Sequence, residues 1–128
     1  MDCSCDVGFD DYGDYPEFYN ESTPIARKEH KCFECGRMIT KGEKYHCASG
    51  KWNIKIETYK TCGDCLSIRE QFFGNGWNFG NVIWDLEEHI SETDAGLSQE
   101  CIAKLTPVAR NRVCDMIQKY WERREEGD

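Results

Sequence analysis

Two pairs of cysteines, each with the spacing C-x2-C, constrain the fold of this chain more than any other feature. Cys32 and Cys35 form the first pair, and Cys62 and Cys65 form the second pair after 26 intervening residues. Two thiolates from each of two tight turns suit the tetrahedral geometry of a four-coordinate zinc site. The sequence therefore predicts one Zn2+ held by four thiolates. A closed site of this kind has no coordination position for water, so we expect the ion to be structural.

The composition and the N-terminus predict a reducing environment for these cysteines. The chain has 128 residues and nine cysteines, and this odd number argues against a fully paired disulfide framework. Residues 1–6 are acidic and contain no apolar signal segment, and no apolar run approaches the roughly 20 residues that cross a bilayer. We therefore expect a cytoplasmic protein that is neither secreted nor inserted into a membrane, in which closely spaced cysteines bind metal.

The segment between the two cysteine pairs predicts a β-hairpin. Residues 43–47 and 51–59 have the composition of two strands, and Ser49-Gly50 has that of the turn between them. In the second strand, alternation places three apolar residues on one face, which we expect to face the core: Trp52, Ile54 and Ile56.

The second cysteine pair begins a predicted helix, with Cys65 in its first turn, that ends before Gly74-Asn75-Gly76. A zinc knuckle, a β-hairpin and a helix that carries the last ligands follow the order of the treble-clef zinc fingers. Residues 30–73 resemble that family, including its LIM-like members. The segment differs from the LIM pattern because the second ligand pair contains no histidine and no second complete module follows.

A narrower resemblance concerns residues 27–32, 42–45, Trp52 and 61–62. These segments look like those of small zinc-finger proteins of bacteriophages and prophages, most of which have no assigned activity. The resemblance implies a phage origin, and with it the cytoplasm of a bacterial host cell as the location.

Charge divides the chain into three zones. Residues 1–21 contain seven acidic and no basic residues, residues 22–69 have a net charge of +5, and residues 70–128 have a net charge of −6. Asp, Gly and Tyr predominate in the first zone, which predicts an extended arm. We therefore expect an α+β protein composed of an acidic arm (1–26), a treble-clef zinc module (27–76) and C-terminal α-helices that pack on the module (77–128).

Five further residues are candidates for a second metal site. Cys3 and Cys5 cannot complete a site alone, but they could do so with Cys47 and with His46 or His30, or they could share bridging thiolates with the first site. The alternative is that Cys3 and Cys5 are mobile, partly exposed thiols and that Cys47 is a half-buried small hydrophobe. The spacing does not decide between these alternatives.

The last third of the chain predicts three helices, each after a capping residue: Asn81, Ser98 and Thr106. Cys101 and Cys114 lie within or beside the apolar stripes of these helices, so we expect them in the core rather than as ligands or nucleophiles. His89 is expected on a solvated helix surface.

No catalytic constellation emerges from these residues. His46 and Cys47 are neighbours in a predicted strand, so their side chains point to opposite faces and cannot act as a base and a nucleophile together. The sequence contains no Gly-rich phosphate loop and no H-E-x-x-H or G-x-S-x-G motif. We therefore expect a protein that is not an enzyme.

Two classes of partner remain. The net charge of −8 repels phosphate at long range and so favours a protein partner. The phage resemblance implies that this partner is a host protein or a host defence complex. The alternative is nucleic-acid binding by the basic face of residues 27–60, where lysines and arginines occur among aromatic residues. We expect a monomer or a homodimer.

Overall fold

The computed structural model of the chain describes residues 19–52, 54–74 and 76–126. Residues 1–18, most of the predicted acidic arm, lie outside this part. The described residues form a mixed fold of small sheets and four helices, which confirms the α+β part of the predicted fold class. Its strands and helices are β1 (Tyr19–Ser22), β2 (His30–Lys31), β3 (Met38–Ile39), β4 (His46–Trp52), β5 (Lys55–Thr61), α1 (Gly63–Phe72), α2 (Val82–Glu92), α3 (Gln99–Ala103) and α4 (Pro107–Glu126).

The larger sheet is antiparallel with the strand order β1-β4-β5. Strand β1 comes from the segment predicted as an arm, and it pairs with β4 from Tyr19 opposite Gly50 to Ser22 opposite Cys47. A second, two-stranded sheet joins β2 to β3. Residues 19–22 are therefore part of the folded protein, since β4 supplies the backbone hydrogen-bond partners that an isolated extended segment lacks.

The hairpin turn lies further along the chain than the sequence predicts. Ser49 pairs with Thr58 inside the β4–β5 ladder, and β4 continues to Trp52. Ile54 and Ile56 are 90% and 69% exposed, so the prediction that they face the core is wrong. The physical reason is the register: Ile54 lies in the turn, and Ile56 lies on the outer face of the sheet, because alternate residues of a strand point to opposite faces.

The inner face of this sheet packs against the segment that follows α1. Ala48 and Thr61 are fully buried there. The Phe79 ring stacks on the Tyr59 ring with 4.4 Å between the centroids, and the Trp77 ring meets Phe79 edge-on at 5.9 Å. Aromatic pairs of this kind contribute beyond the apolar area that they bury. The segment around Trp77 and Phe79 is therefore a packed cover for the sheet.

The helices form the main hydrophobic core, and all three C-terminal helices predicted from the sequence are present. Apolar side chains from all four helices meet in one cluster, to which α1 contributes Ile68 and Phe72. Among the described residues, no helix is both long and apolar enough to cross a membrane.

The two helical cysteines differ in their surroundings. Cys101 is fully buried, as predicted, but it is disulfide-bonded, which differs from the reduced state that the sequence predicts for the cysteines. Cys114 is exposed, so the prediction that it lies in the core is wrong. Its neighbour Val113 is fully buried. Successive residues of a helix are about 100° apart, and this rotation turns Cys114 out of the apolar face.

Candidate metal centre

The four predicted ligands lie together. The sulfur atoms of Cys32, Cys35, Cys62 and Cys65 are all within 4.8 Å of one another, and the Cys35 and Cys62 sulfurs are 3.8 Å apart. A tetrahedron with Zn–S bonds of about 2.3 Å has edges of about 3.8 Å. Three of the cysteines are buried and Cys35 is half-buried. The cluster therefore has the dimensions and the donor set for one four-coordinate metal ion.

The turn between β2 and β3 positions the first pair of ligands. The Cys32 amide donates to the Arg37 carbonyl at 2.8 Å, and the Gly36 amide donates to the Cys32 carbonyl at 3.0 Å. Gly36 has a φ of 80°, a left-handed conformation that glycine adopts without steric cost. This turn brings the Cys35 thiol back towards Cys32.

Helix α1 positions the second pair. Cys62 is the N-cap residue, and its sulfur accepts a hydrogen bond from the Cys65 amide at 3.5 Å. The Cys62 amide in turn donates to the Cys32 sulfur at 3.3 Å. Backbone N–H groups and the positive end of the helix dipole both stabilise thiolates. The predicted placement of Cys65 in the first turn of a helix is confirmed.

The thiols share their protons through hydrogen bonds. Hydrogen bonds from the Cys62 and Cys65 thiols lower the pKa of Cys32. The same contacts raise the pKa of Cys62 to about 11 and also raise that of Cys65. Metal binding releases such protons, because only thiolates act as ligands. The cluster thus offers a divalent cation four ligands in a compact, largely buried site.

Arg37 ties the first turn to helix α1. Its guanidinium hydrogen-bonds to Glu43 at 2.9 and 3.1 Å and to Asp64 at 3.0 Å. The hydrogen bonds that Glu43 accepts from Arg37 and Thr40 lower its pKa to about 2. Asp64 also accepts a hydrogen bond from the Thr106 hydroxyl at 2.7 Å, just before α4 begins. Helix α1, which carries two ligands, is thereby fixed to both the knuckle and the last helix.

Glu34, between the first two ligands, caps helix α2 from a distance. Its carboxylate accepts hydrogen bonds from the amides of Gly80 at 2.9 Å and Val82 at 3.1 Å. Asn81 occupies the N-cap position as predicted, but its side chain makes no capping hydrogen bond. An acidic group here also interacts favourably with the helix dipole. The turn that carries Cys32 and Cys35 therefore also contacts and stabilises the start of α2.

Replacing Glu34 with alanine is expected to reduce the free energy of unfolding by about 1–2 kcal/mol, because two amides at the start of α2 lose their acceptor. The metal content should stay the same, since all four thiols remain. Urea unfolding and metal analysis measure the two effects. The matched control is Glu87→Ala on the exposed side of α2, expected to change stability by less than about 0.5 kcal/mol. Equal stability of the two variants contradicts the capping role.

The described residues of the predicted second site do not belong to the four-cysteine group. Among the described residues, the four cysteines are the only group of three or more side chains able to hold a metal ion. His30 contacts the Lys60 ammonium at 3.2 Å, and Cys47 is half-buried on β4. Cys3 and Cys5 lie outside the described residues. The second site stays a prediction.

Sequence reasoning missed a chain of polar side chains that runs from the buried Arg69 through His46 to the exposed Glu21. Arg69 is only 2% exposed, and it donates to His46 Nδ1 at 2.9 Å. His46 Nε2 is 3.0 Å from a Glu21 carboxylate oxygen. Because Nδ1 accepts from the guanidinium, the imidazole is neutral and Nε2 donates its proton to Glu21. The Arg69 guanidinium also lies 4.4 Å above the Trp77 ring.

The lowered pKa of His46 predicts that the protein loses stability in mild acid. Burial and the Arg69 charge lower its pKa below the usual 6.5. The unfolded chain therefore takes up a proton near pH 6.5, whereas the folded protein does so only at lower pH, so stability falls as the pH drops through this range. We expect a smaller fall in the His46→Gln variant, whose amide does not titrate and can donate to Glu21 and accept from Arg69.

Thermal unfolding of both proteins between about pH 7 and pH 5.5 measures this difference, around the ordinary histidine pKa. Protonation of the metal ligands affects both proteins alike, so the comparison isolates His46. A His46 imidazole that titrates by NMR at or above 6.5 contradicts the prediction.

No protein-family model, curated protein or solved structure matches this chain. Four protein thiols fill the coordination sphere of a tetrahedral metal and leave no position for a substrate or for water. The arrangement suits a structural metal ion.

Proposed function

We propose that this protein is a non-catalytic binding module, that one Zn2+ stabilises its fold, and that its partner is another protein. Four thiolates in tetrahedral geometry are a donor set that zinc prefers. The order of knuckle, hairpin and ligand-bearing helix supports the treble-clef assignment over residues 27–76. A small core benefits from such a metal, because the energy of metal binding adds to the stability of the fold.

The observation that carries the protein-binding function is the tip of the β4–β5 hairpin. Ile54 and Ile56, which we call the hairpin tip, are 90% and 69% exposed. Strand β1 covers β4 only as far as Gly50, so the hairpin extends beyond the three-stranded sheet. Two adjacent large apolar side chains on a projecting element are a typical anchor for a protein interface.

The resemblance to phage zinc-finger proteins extends this proposal to the origin of the partner. A phage protein of this size that acts by binding would have a protein of the bacterial host, or a host defence complex, as its target. The acidic character of the whole chain supports a partner with a basic or apolar surface.

Affinity capture of the tagged protein from bacterial lysate, with and without nuclease, tests this function. The expected result is one stoichiometric protein that is retained after nuclease treatment. The double variant Ile54→Ser, Ile56→Ser should lose it, because the apolar anchor is gone. The control Val108→Ser changes an exposed apolar residue of α4 and should retain it. If both variants capture the partner equally, the hairpin tip is not the binding site. If nuclease treatment abolishes the capture, the partner is not a protein.

A second candidate, nucleic-acid binding, is supported by the outer face of the sheet. By register this face presents Ser49, Thr58 and Lys60, and none of its described residues is acidic. The Lys60 ammonium lies beside His30. Desolvation lowers the pKa of His30, and the charges of Lys60 and Lys28 lower it further. Neighbouring cations suit contact with phosphate. Four thiolates with Zn2+ add about −2 to the module and weaken this attraction.

Salt dependence distinguishes the two candidates. If the basic face binds nucleic acid, the affinity for a single-stranded oligonucleotide should fall steeply with salt, and the Lys28→Gln, Lys60→Gln variant should have a smaller slope by about 1.4. A protein complex anchored by apolar residues should instead persist above about 0.5 M salt, at which charges on the surface are screened.

A further inference from the structure

Arg69 is the most deeply buried charged side chain in the described part of the chain. No described carboxylate lies within ion-pairing distance of its guanidinium, and its hydrogen-bond partner, His46, is neutral. Two of its nitrogens, Nε and one Nη, have no hydrogen-bond acceptor. Burying a cation without a nearby counter-charge is strongly unfavourable. The ring of Trp77 offsets only part of this cost, so a negative group is needed close by.

The four-cysteine cluster is a source of negative charge on the same helix as Arg69 once a metal ion is bound. Arg69 lies on α1 four residues after Cys65, and both side chains are buried on the same side of the helix. Burial lowers the pKa of Arg69, and negative groups that include Glu34, Glu21 and the Cys65 thiolate oppose that effect. A divalent metal ion with four thiolates carries a net charge of −2. Its attraction to the Arg69 guanidinium therefore offsets part of the energetic cost of burying each of the two charged groups.

Arg37 does not have this role, although it is also close to the cluster. Its guanidinium contacts the carboxylates of Glu43 and Asp64 at about 3 Å, so its positive charge is already balanced. Its side chain is also one-third exposed, and water screens its field. Among the described residues near the ligands, Arg69 is the buried cation whose charge no carboxylate neutralises at contact distance.

We propose that Arg69 is the fixed counter-charge of the metal centre, and that it raises the affinity for the metal ion by offsetting part of the charge of the metal–thiolate complex. This inference rests on the proposed metal site. His46 and Glu21 act as positioning residues, because they hold the guanidinium on the side of α1 that carries Cys65. The cluster and strand β1 are thereby coupled through three side chains.

The test compares Arg69→Lys with Arg69→Met. Lysine keeps the charge but loses the planar guanidinium, whereas methionine keeps an unbranched, largely apolar side chain and loses the charge. We expect methionine to weaken Zn2+ affinity by about tenfold to a hundredfold, and lysine to restore most of this loss. Competition with a chromophoric chelator measures the affinity, and the absorption spectrum of bound Co2+ reports whether four sulfurs still coordinate the ion.

If Arg69 has a purely structural role, the methionine variant should bind Zn2+ at least as tightly as the lysine variant, because a buried methionine packs at least as well as a buried lysine. Affinity of the methionine variant equal to or above that of the lysine variant therefore overturns the proposal. Arg112→Met is the matched control: it removes an exposed positive charge of α4, which water screens, and should change the affinity by less than about threefold.

A second measurement keeps the proposal testable if either Arg69 variant is poorly folded. The Cys35→His variant replaces a thiolate with a neutral ligand, so the charge of the complex changes from −2 to −1. In the Cys35→His background, Arg69→Met should lower the logarithm of the Zn2+ affinity by about half as much as it does in the unaltered protein. The reason is that the energy of interaction between Arg69 and the metal complex is proportional to the product of their charges. An undiminished loss overturns the counter-charge role. If the unaltered protein binds no Zn2+, the metal site itself is wrong, which is a distinct outcome.

Discussion

The Cys65→Ser variant is expected to lose its metal ion and the tertiary packing of the zinc module, whereas Cys114→Ser keeps both. Cys65 is buried in the first turn of α1, and its sulfur is one of the four in the cluster. Binding of a structural zinc ion contributes about 10–16 kcal/mol to the folding of zinc-finger peptides. This range exceeds the free energy of unfolding of most small domains, so we expect the module to unfold when one thiolate ligand is lost.

Native mass spectrometry and amide NMR spectra measure the two parts of this prediction. The unaltered protein and the Cys114→Ser control should each carry one ion, because the Cys114 thiol is exposed and outside the cluster. The Cys65→Ser protein should carry none at the same free metal concentration, and its resonances from residues 30–73 should collapse towards random-coil positions. A Cys65→Ser protein that retains dispersed resonances for this segment shows that the metal is dispensable to the fold.

Phe72→Ala is expected to have the largest effect outside the metal centre. Phe72 is fully buried at the end of α1, within the cluster formed by all four helices. Removal of a buried phenylalanine ring costs about 3–5 kcal/mol, because the apolar transfer energy is lost and a cavity remains. Helix α1 also carries Cys62 and Cys65, so a loosened helix should weaken metal binding as well.

Chemical denaturation followed by tryptophan fluorescence, with and without chelator, measures both effects. Val108→Ala is the control: this side chain is 56% exposed on α4, and its truncation should change stability by less than about 0.5 kcal/mol. A Phe72→Ala variant that unfolds at the same denaturant concentration as this control contradicts the packing role. If Phe72→Ala lowers the stability only when a chelator is present, metal binding alone maintains the position of α1.

The metal cluster was predictable from the sequence because its geometry is local. A C-x2-C pair closes a turn by itself, and Gly36 supplies the backbone conformation that the turn requires. The helix starts near residues 63, 82, 99 and 107 were also predictable, since apolar periodicity and capping residues are local signals.

The errors concern residues whose environment is set by distant parts of the chain. Alternation placed Ile54 and Ile56 on a core face, but the position of the turn decides which face a strand residue occupies. Cys114 lies beside the apolar stripe of α4, next to Val113, yet the rotation of α4 against the other helices leaves it exposed. Glu34 lies 48 residues from the amide of Val82 that it caps, and no pattern in the sequence relates the two.

The sequence by itself determined the four metal ligands, the helix that carries two of them and the mixed α+β class, because spacing and periodicity specify short-range geometry. The tertiary structure alone decided which strand covers β4, which apolar side chains stay exposed at the hairpin tip and where the buried charge of Arg69 lies. The physical reason is that burial and charge balance depend on contacts between elements far apart in the chain. Such contacts exist only once the elements have packed.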